Sequence, residues 1–450
     1  MDRTSPRFWI GLPLLAAALV APCLSAFAED ALQPGEAVVT RFSGTTDDGG
    51  RAVIDMDGAA ASIINLRSPD AAPLGANWES APQRPVATAG QVGQVFGVTL
   101  DDADPPNIYV TATSAFGLHR NADNSDWMDG MWGADGGPGS VWKLDASNNY
   151  TPELFATIEL DGRANTGAAL GNIAFDRWNK QFYVSDLETG MIHRLKASDG
   201  TDLGHYDHGV HGRSAFLEVT EGELKSLSPV EFDPTSTAQV NDCPSGDFAR
   251  TPSCWNFADF RRRVWGLAVR RFPATEEVRL YYAIWGSQGF GNADFAAVED
   301  DQRNAVWSVR IADDGSFDLS SVRREFFLPD FFRSPEAIAR AGRSHPVSDI
   351  AFPAFGDQDV MLLAERGGVR NLGLAASDAF AYPNEARVLR YELTPQGFWR
   401  GAGRYDVGFY DRNEAGPPYL RGSAAGGVSF GFGYGDDWQL DSAAPTLSCG

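Results

Sequence analysis

Residue types and motifs that common enzyme classes require are scarce in this sequence. Its 450 residues include only four cysteines and six histidines. It contains no Gly-x-Ser-x-Gly motif, no glycine loop ending in Lys-Ser/Thr and no Cys-x-x-Cys-His motif. The sequence therefore gives no support to an α/β-hydrolase serine nucleophile, a P-loop phosphate site or covalently attached haem.

Positive charge is also scarce. Lysine and arginine together number 37 against 60 aspartates and glutamates, which gives a formal net charge of −23 at pH 7. Such a charge repels nucleic acid and anionic membrane surfaces, so we expect neither as a partner. The excess of carboxylates leaves two interpretations open: solubility in an exposed compartment, or binding of divalent cations by clustered carboxylates.

Long hydrophobic runs are absent except near the start of the chain. Arg3 and Arg7 form a basic region before an apolar stretch, Phe8–Val20, and Ala26-Phe27-Ala28 offers a small-x-small cleavage site. The stretch is too short to span a bilayer. We therefore expect residues 1–28 to be a signal peptide. The mature protein is predicted to be exported to the periplasm or the cell exterior, and not to be an integral membrane protein.

The cysteines fit an exported protein. Cys23 lies in the signal peptide, or would carry the lipid if the protein were a lipoprotein. Cys243 and Cys254 lie eleven residues apart in a loop rich in Pro, Ser, Gly and Asp, and an oxidising compartment favours a disulfide between them. No second Cys or His pair flanks them, which argues against a zinc site. Cys449 then has no predicted partner.

One pattern recurs along the chain. An apolar strand begins beside a small or polar residue, a turn follows, and an aromatic-rich strand comes next. The copies begin about 75 to 95 residues apart, which leaves room for two further strands in each repeat, and four-stranded sheets repeated along a chain are typical of a β-propeller. The first strands of the copies are Phe96–Leu100, Gly171–Asp176, Trp265–Val269, Ser348–Phe352 and Gly426–Phe430.

The repeats predict an all-β fold: one β-propeller of five or six four-stranded blades over residues 37–450, after a flexible leader at 29–36. Strands precede the first full repeat and the last repeat is short, so we expect N- and C-terminal strands to close the ring within one blade. Insertions are predicted at about 121–139 and 210–260. The second could hold a degenerate blade, which leaves the blade number open.

The second repeat resembles those of NHL-type and SMP-30/gluconolactonase-like propellers. The resemblance rests on Asn172–Asp176, Phe182–Asp186 and Met191–Leu195, and covers about 30 residues well. It implies the propeller architecture far more than an activity, because propellers host unrelated functions.

The resemblance also implies a metal site. In SMP-30-like enzymes, carboxylates and an asparagine at the channel mouth bind one divalent cation, and Asn172, Asp349 and Glu365 match that chemistry, with Asp186 as a further candidate. Oxygen ligands suit Ca²⁺, which would polarise a lactone carbonyl and activate water. The family's glutamate in the first blade has no clear match here. Asp186 also has a structural interpretation, since such a residue often binds turn amides.

Two other polar stretches have a functional and a structural interpretation. His205, His208 and His211 have spacings that would suit zinc or copper, but they cross from a strand into a loop, so we expect them to be solvated or bonded to turns. The stretch Asn121–Asp126 resembles a calcium loop but lacks the EF-hand spacing. We interpret it as a polar loop.

Two functions remain. The first is a non-catalytic binding or scaffold module of the cell envelope or periplasm, with a small molecule, a glycan or an envelope protein as partner and no cofactor. The alternative is a divalent-metal-dependent, lactonase-like hydrolase with its site at the channel mouth. A quinone-cofactor dehydrogenase has only the propeller itself in its favour.

Overall fold

The structure is a computed structural model. It describes residues 31–67, 83–123, 125–234, 258–285, 300–332, 334–335, 338, 343–353, 359–366, 387–405, 426–431, 433–434, 440–441 and 448–449. The predicted signal peptide and both cysteines of the predicted disulfide, Cys243 and Cys254, lie outside these residues. Export, the domain boundaries and the disulfide therefore remain predictions.

The N-terminal part forms a three-stranded antiparallel sheet with a separate hairpin. The sheet order is β1-β4-β5, the hairpin pairs β2 with β3, and a four-residue helix follows the last strand. We call this sheet the N-terminal blade. The elements are β1 (Glu36–Thr40), β2 (Thr45–Asp48), β3 (Arg51–Ile54), β4 (Ala59–Asn65), β5 (Gln83–Thr88) and α1 (Ala89–Val92).

Blades one and two each contain four antiparallel strands in chain order. Blade one consists of β6 (Val95–Leu100), β7 (Ile108–Ala112), β8 (Ser140–Asp145) and β9 (Thr151–Thr157), and a small hairpin of β10 (Glu159–Leu160) and β11 (Arg163–Ala164) follows it. Blade two consists of β12 (Leu170–Asp176), β13 (Gln181–Asp186), β14 (Met191–Lys196) and β15 (Asp202–Asp207).

Blade three has six strands, because two short strands from the second insertion join its outer edge. They are β16 (Phe216–Glu218) and β17 (Glu223–Lys225), and the four main strands are β18 (Val264–Arg271), β19 (Val278–Ile284), β20 (Ala305–Ile311) and β21 (Phe317–Phe327). Strand β16 pairs in parallel with β21, with Leu217 opposite Arg323. The first part of the insertion therefore widens a blade and forms neither a separate blade nor a loop.

Blade four again has four antiparallel strands, and short pairs follow it. The blade consists of β22 (Val347–Ala351), β23 (Val360–Glu365), β24 (Val388–Leu393) and β25 (Trp399–Tyr405). Strand β26 (Phe430–Gly431) pairs with β29 (Ser448–Cys449), and β27 (Gly433–Tyr434) pairs with β28 (Leu440–Asp441).

The sheets are arranged as the blades of a five-bladed β-propeller. Their first strands are neighbours in sequence order: β1 contacts β6, β6 contacts β12, β12 contacts β18 and β18 contacts β22. The prediction of an all-β propeller is confirmed. A sixth blade and closure of the ring by paired N- and C-terminal strands remain predictions, since in the described part of the chain β1 pairs only with β4.

Hydroxyl groups make three links between neighbouring segments at the centre of the propeller. A Ser or Thr donates to a backbone carbonyl on or beside the innermost segment of the following blade, which satisfies a buried acceptor that no sheet ladder reaches. The links are Thr111 Oγ1 to the Gly171 carbonyl at 3.2 Å, Ser185 Oγ to the Trp265 carbonyl at 2.7 Å and Ser348 Oγ to the Gly426 carbonyl at 2.7 Å.

Glycine is required where β6 meets β12. A methyl group added to Gly97 would lie 2.5 Å from Thr111 Oγ1 and 2.8 Å from the Asn172 Cα atom. We expect Gly97→Ala to lower the free energy of unfolding by about 1–3 kcal/mol, because the blades would have to separate. Urea denaturation measures this. Gly137→Ala is the matched control, since its added methyl group has no atom within 4 Å; equal losses in both variants would contradict the close approach.

We call the side of the propeller on which the second strands end the upper face, and the opposite side the lower face. On the upper face the β2–β3 hairpin and the insertion at 121–139 cover the channel. Ile54, Met128, Met131 and Trp132 form one buried apolar cluster with residues of the innermost strands, among them Trp265. The insertion is therefore a packed cover and not an open loop.

None of the helices within the described ranges is both long and apolar enough to cross a membrane.

Candidate functional site

The structure brings two of the four predicted metal ligands together. Asn172 is the third residue of β12 and Asp349 the third residue of β22, so both sit near the upper ends of innermost strands. Asn172 Nδ2 donates to Asp349 Oδ1 at 2.7 Å and to the Ser348 carbonyl at 3.2 Å. The pair links blades two and four across the centre of the propeller.

Both carboxylate oxygens of Asp349 accept further hydrogen bonds. Oδ1 accepts the Ile350 amide at 2.9 Å, and Oδ2 accepts the Val428 amide at 2.9 Å. Burial raises the pKa of Asp349 to about 7, against the opposing effect of these donors. The side chain nevertheless keeps partial exposure, as expected for the wall of a narrow channel. Asp349 thus ties three parts of the ring together and titrates near neutrality.

Glu365, the last residue of β23, is held by an arginine. Its Oε1 accepts Arg387 Nη2 at 2.7 Å, and its Oε2 accepts Arg387 Nε in a second, shorter bond. The same guanidinium donates to the Pro329 carbonyl at 2.9 Å. Burial raises the pKa of Glu365 while the Arg387 charge opposes that shift. This bidentate ion pair uses both oxygens that the predicted metal site would need.

Asp186 organises the turn that follows β13. Its Oδ1 accepts Asn165 Nδ2 at 2.8 Å and the Glu188 amide at 2.9 Å, and its Oδ2 accepts Thr189 Oγ1 at 2.7 Å. The structural interpretation of this residue, an aspartate that binds turn amides, therefore describes its contacts.

The predicted ligands do not form a calcium-binding set in this arrangement. A cation such as Ca²⁺ needs six to eight oxygens that converge at about 2.3–2.6 Å. The carboxylate oxygens of Asp349, Glu365 and Asp186 instead face N–H and O–H donors. Within the described ranges there is no group of three or more His, Cys, Asp or Glu residues suited to a metal ion. The cation therefore stays a prediction.

Glu188 lies outside the predicted set but is a carboxyl of the second blade whose pKa is raised. Its side chain is fully buried; Oε1 contacts Arg163 Nη1 at 2.6 Å and Oε2 accepts the Thr166 amide at 2.5 Å. Burial, followed by the charge of Asp186, raises its pKa to about 7. The position after a second strand pointed to Glu188, but its burial depends on Arg163 and Thr166, which precede blade two.

Aromatic and cationic side chains fill the channel beneath the cover. The Arg366 guanidinium lies 5.3 Å from the Phe96 ring and 5.0 Å from the Phe116 ring, and its Nη2 donates to the Ala115 carbonyl at 2.9 Å. Phe96 in turn packs edge-on against Trp265, with ring centroids 5.4 Å apart. Burial lowers the pKa of Arg366 to about 10. The channel mouth is thus a packed core.

The three neighbouring histidines do not converge. His208 is buried, and its Nδ1 lies 3.1 Å from the Tyr282 hydroxyl. His205 is nearest to His193, with ring centroids 5.7 Å apart, whereas His211 lies 6.1 Å from the Tyr206 ring. The expectation that these histidines are solvated or bonded to turns is wrong for His208, which packs into the core of blade three.

The lower face presents a tryptophan on a rigid turn between β12 and β13. The buried Asp176 carboxylate accepts the amides of Trp178 and Asn179, each at 3.1 Å, and Asn179 Nδ2 at 2.8 Å. Lys180 closes the turn with a left-handed backbone at φ 52° and pairs with Asp102 of blade one. Trp178 itself is 43% exposed. The turn therefore holds the backbone of Trp178 in a defined conformation and leaves its large aromatic side chain exposed to solvent.

No family model matches this chain, and neither does any curated protein. Solved structures with a similar path of the chain include a nidogen/laminin complex, at 10% identity and a TM-score of 0.35, covering 82% of this chain and 93% of the other. A putative 6-phosphogluconolactonase from Bacteroides fragilis is 11% identical, with a TM-score of 0.33 and coverages of 92% and 94%. A streptogramin B lyase is 12% identical, with a TM-score of 0.32 and coverages of 88% and 91%.

Proposed function

We propose that this chain is a non-catalytic binding module of the cell envelope or periplasm and that it binds its partner through the lower face. The observation that carries the proposal is the exposed Trp178 on a turn whose backbone the buried Asp176 holds. On the upper face, by contrast, the channel mouth is packed with side chains, and the carboxylates there face hydrogen-bond donors.

A protein is the partner that this surface suits best. Binding hot spots are enriched in tryptophan that is positioned before binding, because little side-chain entropy is then lost. Leu100, at the end of β6, is a further exposed apolar side chain on this face, and Lys180 and Asp102 supply a charged rim. The net charge of −23 favours a partner whose binding surface is basic.

The location in the envelope rests on the predicted signal peptide at residues 1–28. Export places the propeller in an oxidising compartment with envelope proteins and glycans. Cell fractionation of the full chain tests the proposed location separately from binding. If the protein were found in the cytoplasm, the proposed binding surface would still stand, but the proposed location in the envelope or periplasm would be wrong.

Replacing Trp178 by alanine is expected to weaken partner binding by about 2 kcal/mol, about thirtyfold, because a central tryptophan anchor is lost. For the measurement, the purified protein without residues 1–28 is immobilised on a surface and an envelope extract is passed over it. Saturable capture is recorded, and the captured protein is identified by mass spectrometry. Phe398→Ala is the matched control for position on the lower face, since Phe398 is also an exposed aromatic residue of that face, 36% exposed, but lies in the β24–β25 turn of blade four, two blades away from Trp178.

Equal binding by wild-type protein, Trp178→Ala and Phe398→Ala would contradict the proposed surface. Trp178-dependent binding to purified glycans, without a protein, would contradict the partner class. Both variants must unfold at the wild-type urea concentration, which is expected because both side chains are surface-exposed.

The alternative function, a divalent-metal-dependent lactonase, is favoured by one observation: Asn172 and Asp349 meet at the channel wall, where Asp349 keeps partial exposure. It would require Glu365 to leave Arg387. Hydrolysis of an aldonolactone that needs Ca²⁺ and is abolished by Glu365→Gln would overturn the non-catalytic proposal, as would a Ca²⁺-dependent rise in melting temperature that the same substitution removes.

A further inference from the structure

Two segments at the edges of the first insertion form a short antiparallel ladder in the upper cover. Arg120 and Trp127 are bridge partners, and the Met128 amide donates to the His119 carbonyl at 3.1 Å. His119 and Met128 are therefore directly opposite, and opposite residues of such a pair place their side chains on the same face. The Arg120 guanidinium stacks over Trp127 at 4.7 Å on the other face. His119 and Met128 thus share the buried face.

His119 is buried in an unusual way for a histidine. The side chain is 0% exposed, and neither ring nitrogen has a hydrogen-bond partner among the described residues. The His119 ring packs against Phe42, with ring centroids 5.7 Å apart. A neutral imidazole carries a nitrogen lone pair, and a buried polar atom without a partner calls for a ligand, water or ion.

The cover also contains methionine side chains. The Met128 Sδ atom is 3.3 Å from the Ile54 amide. The Met131 amide donates to the Met128 carbonyl at 3.0 Å, so a tight turn brings these two residues together, and both side chains are buried in the same cluster. Gly130 lies between Met128 and Met131 in the sequence, and the side chain of Met56 lies against it. Met56 is 41% exposed. Three of the six methionines of the chain are therefore in this cover.

We propose that His119, Met128 and Met131 form a binding site for monovalent copper, with Met56 at its entrance. Imidazole nitrogen and thioether sulphur are ligands that Cu(I) accepts, whereas Ca²⁺ and Mg²⁺ require oxygen. A site of neutral ligands in an apolar cluster also suits a single positive charge better than a double one, because the desolvation cost of a divalent ion is far higher.

The surface above the site attracts cations. Asp57, Asp126 and Asp129 are exposed on the hairpin and the insertion. Two arginines lie beside the ladder: Arg120 is stacked on Trp127 on the opposite face, and Arg51 Nη2 donates to the Arg120 carbonyl at 2.8 Å. An acidic surface raises the local concentration of cations. The partly exposed thioether of Met56 offers a first ligand on the way to the buried imidazole.

Cu(I) binding to the full mature chain tests the proposal. The metal is supplied under ascorbate, the affinity is measured by competition with a chromophoric Cu(I) chelator, and free thiols are alkylated first so that cysteine cannot contribute. We expect one bound Cu(I) per chain and a higher melting temperature with the metal. Met128→Leu and His119→Gln are each expected to weaken binding by about tenfold or more.

Met361→Leu is the matched control, because Met361 is fully buried in blade four and away from the cover. Met128→Leu conserves volume, so its fold should persist even if His119→Gln is destabilised. Absence of 1:1 binding by the wild-type chain would overturn the proposal. So would binding that Met128→Leu and Met361→Leu weaken equally, or binding that Ca²⁺ or Zn²⁺ displaces as well as the chelator does.

Discussion

Replacing Glu218 by alanine is expected to lower the free energy of unfolding by about 3–5 kcal/mol, because it leaves a buried arginine without its counter-charge. Glu218 Oε2 accepts Arg324 Nε at 2.6 Å and Nη2 at 2.5 Å, and both side chains are buried. The guanidinium is enclosed by aromatic rings, 4.3 Å from Phe327 and 5.1 Å from Phe216. Water therefore cannot replace the carboxylate easily.

Urea denaturation followed by far-ultraviolet circular dichroism measures this loss. Glu221→Ala is the matched control, because Glu221 pairs with Lys225 in the same part of blade three, but at the surface, with side chains 52% and 33% exposed. Such a pair contributes about 0–1 kcal/mol. A loss below about 1 kcal/mol for Glu218→Ala would show that the Arg324 guanidinium finds other acceptors and that the pair does not fasten β16.

The contribution of Glu188 to the stability of the protein is expected to fall as the pH rises from about 4.5 to about 7. Its pKa is raised from 4.5 to about 7, chiefly by burial. The native state therefore holds a proton that the unfolded chain releases earlier, so the stabilisation is complete below pH 4.5 and is lost as the pH approaches the native pKa. The difference between the unfolded and native pKa values of Glu188 corresponds to about 3 kcal/mol in the free energy of unfolding.

Urea denaturation of wild-type protein and Glu188→Gln at several pH values isolates this contribution. Glutamine cannot ionise, so the stability of the variant relative to wild type is expected to rise by about 3 kcal/mol between pH 4.5 and pH 8. Asp349, whose pKa is also raised to about 7, adds a separate slope that persists in this variant. A constant difference between the two proteins over this range would contradict the raised pKa of Glu188.

The innermost and second strands of the blades could be predicted closely from the sequence. The expected strand Phe96–Leu100 lies within β6 (Val95–Leu100), and Gly171–Asp176 lies within β12 (Leu170–Asp176). These strands are buried, and their apolar runs bounded by turn residues are the pattern that short-range reasoning detects. The outer strands were less well placed. The first half of β21 (Phe317–Phe327) is only partly buried and mixes apolar with polar residues, so no apolar run marks where this strand begins.

The extension of blade three could not be predicted in the same way. Strand β16 (Phe216–Glu218) is three residues long and joins the sheet in parallel beside β21. Parallel pairing requires a partner far away in the chain, and a segment of three residues carries no period to reveal it. The turn residues of the second insertion therefore indicated a loop. In the structure, pairing with β21 and with each other makes β16 and β17 two short strands.

In the candidate site, too, the positions of residues along the strands could be predicted from the sequence, whereas their hydrogen-bond partners could not. The sequence placed Asn172 and Asp349 at the starts of innermost strands, and the structure brings them within 2.7 Å. It also placed Glu365 at the end of a second strand, but not the bidentate bond to Arg387, 22 residues later. An ion pair across strands depends on register and side-chain direction, which alternation alone does not specify.

The parallel pairing of β16 with β21 also bears on the order in which the chain folds. Glu218 and Arg324 are 106 residues apart, whereas neighbouring strands within blade two form from a few tens of residues. Closing so long a loop costs entropy before any contact repays it. The hairpin of β16 and β17 can form locally, but the side of β16 that faces β21 stays unpaired until β21 is in place. The three-residue length of β16 limits what could pair with this side of the strand by mistake during folding.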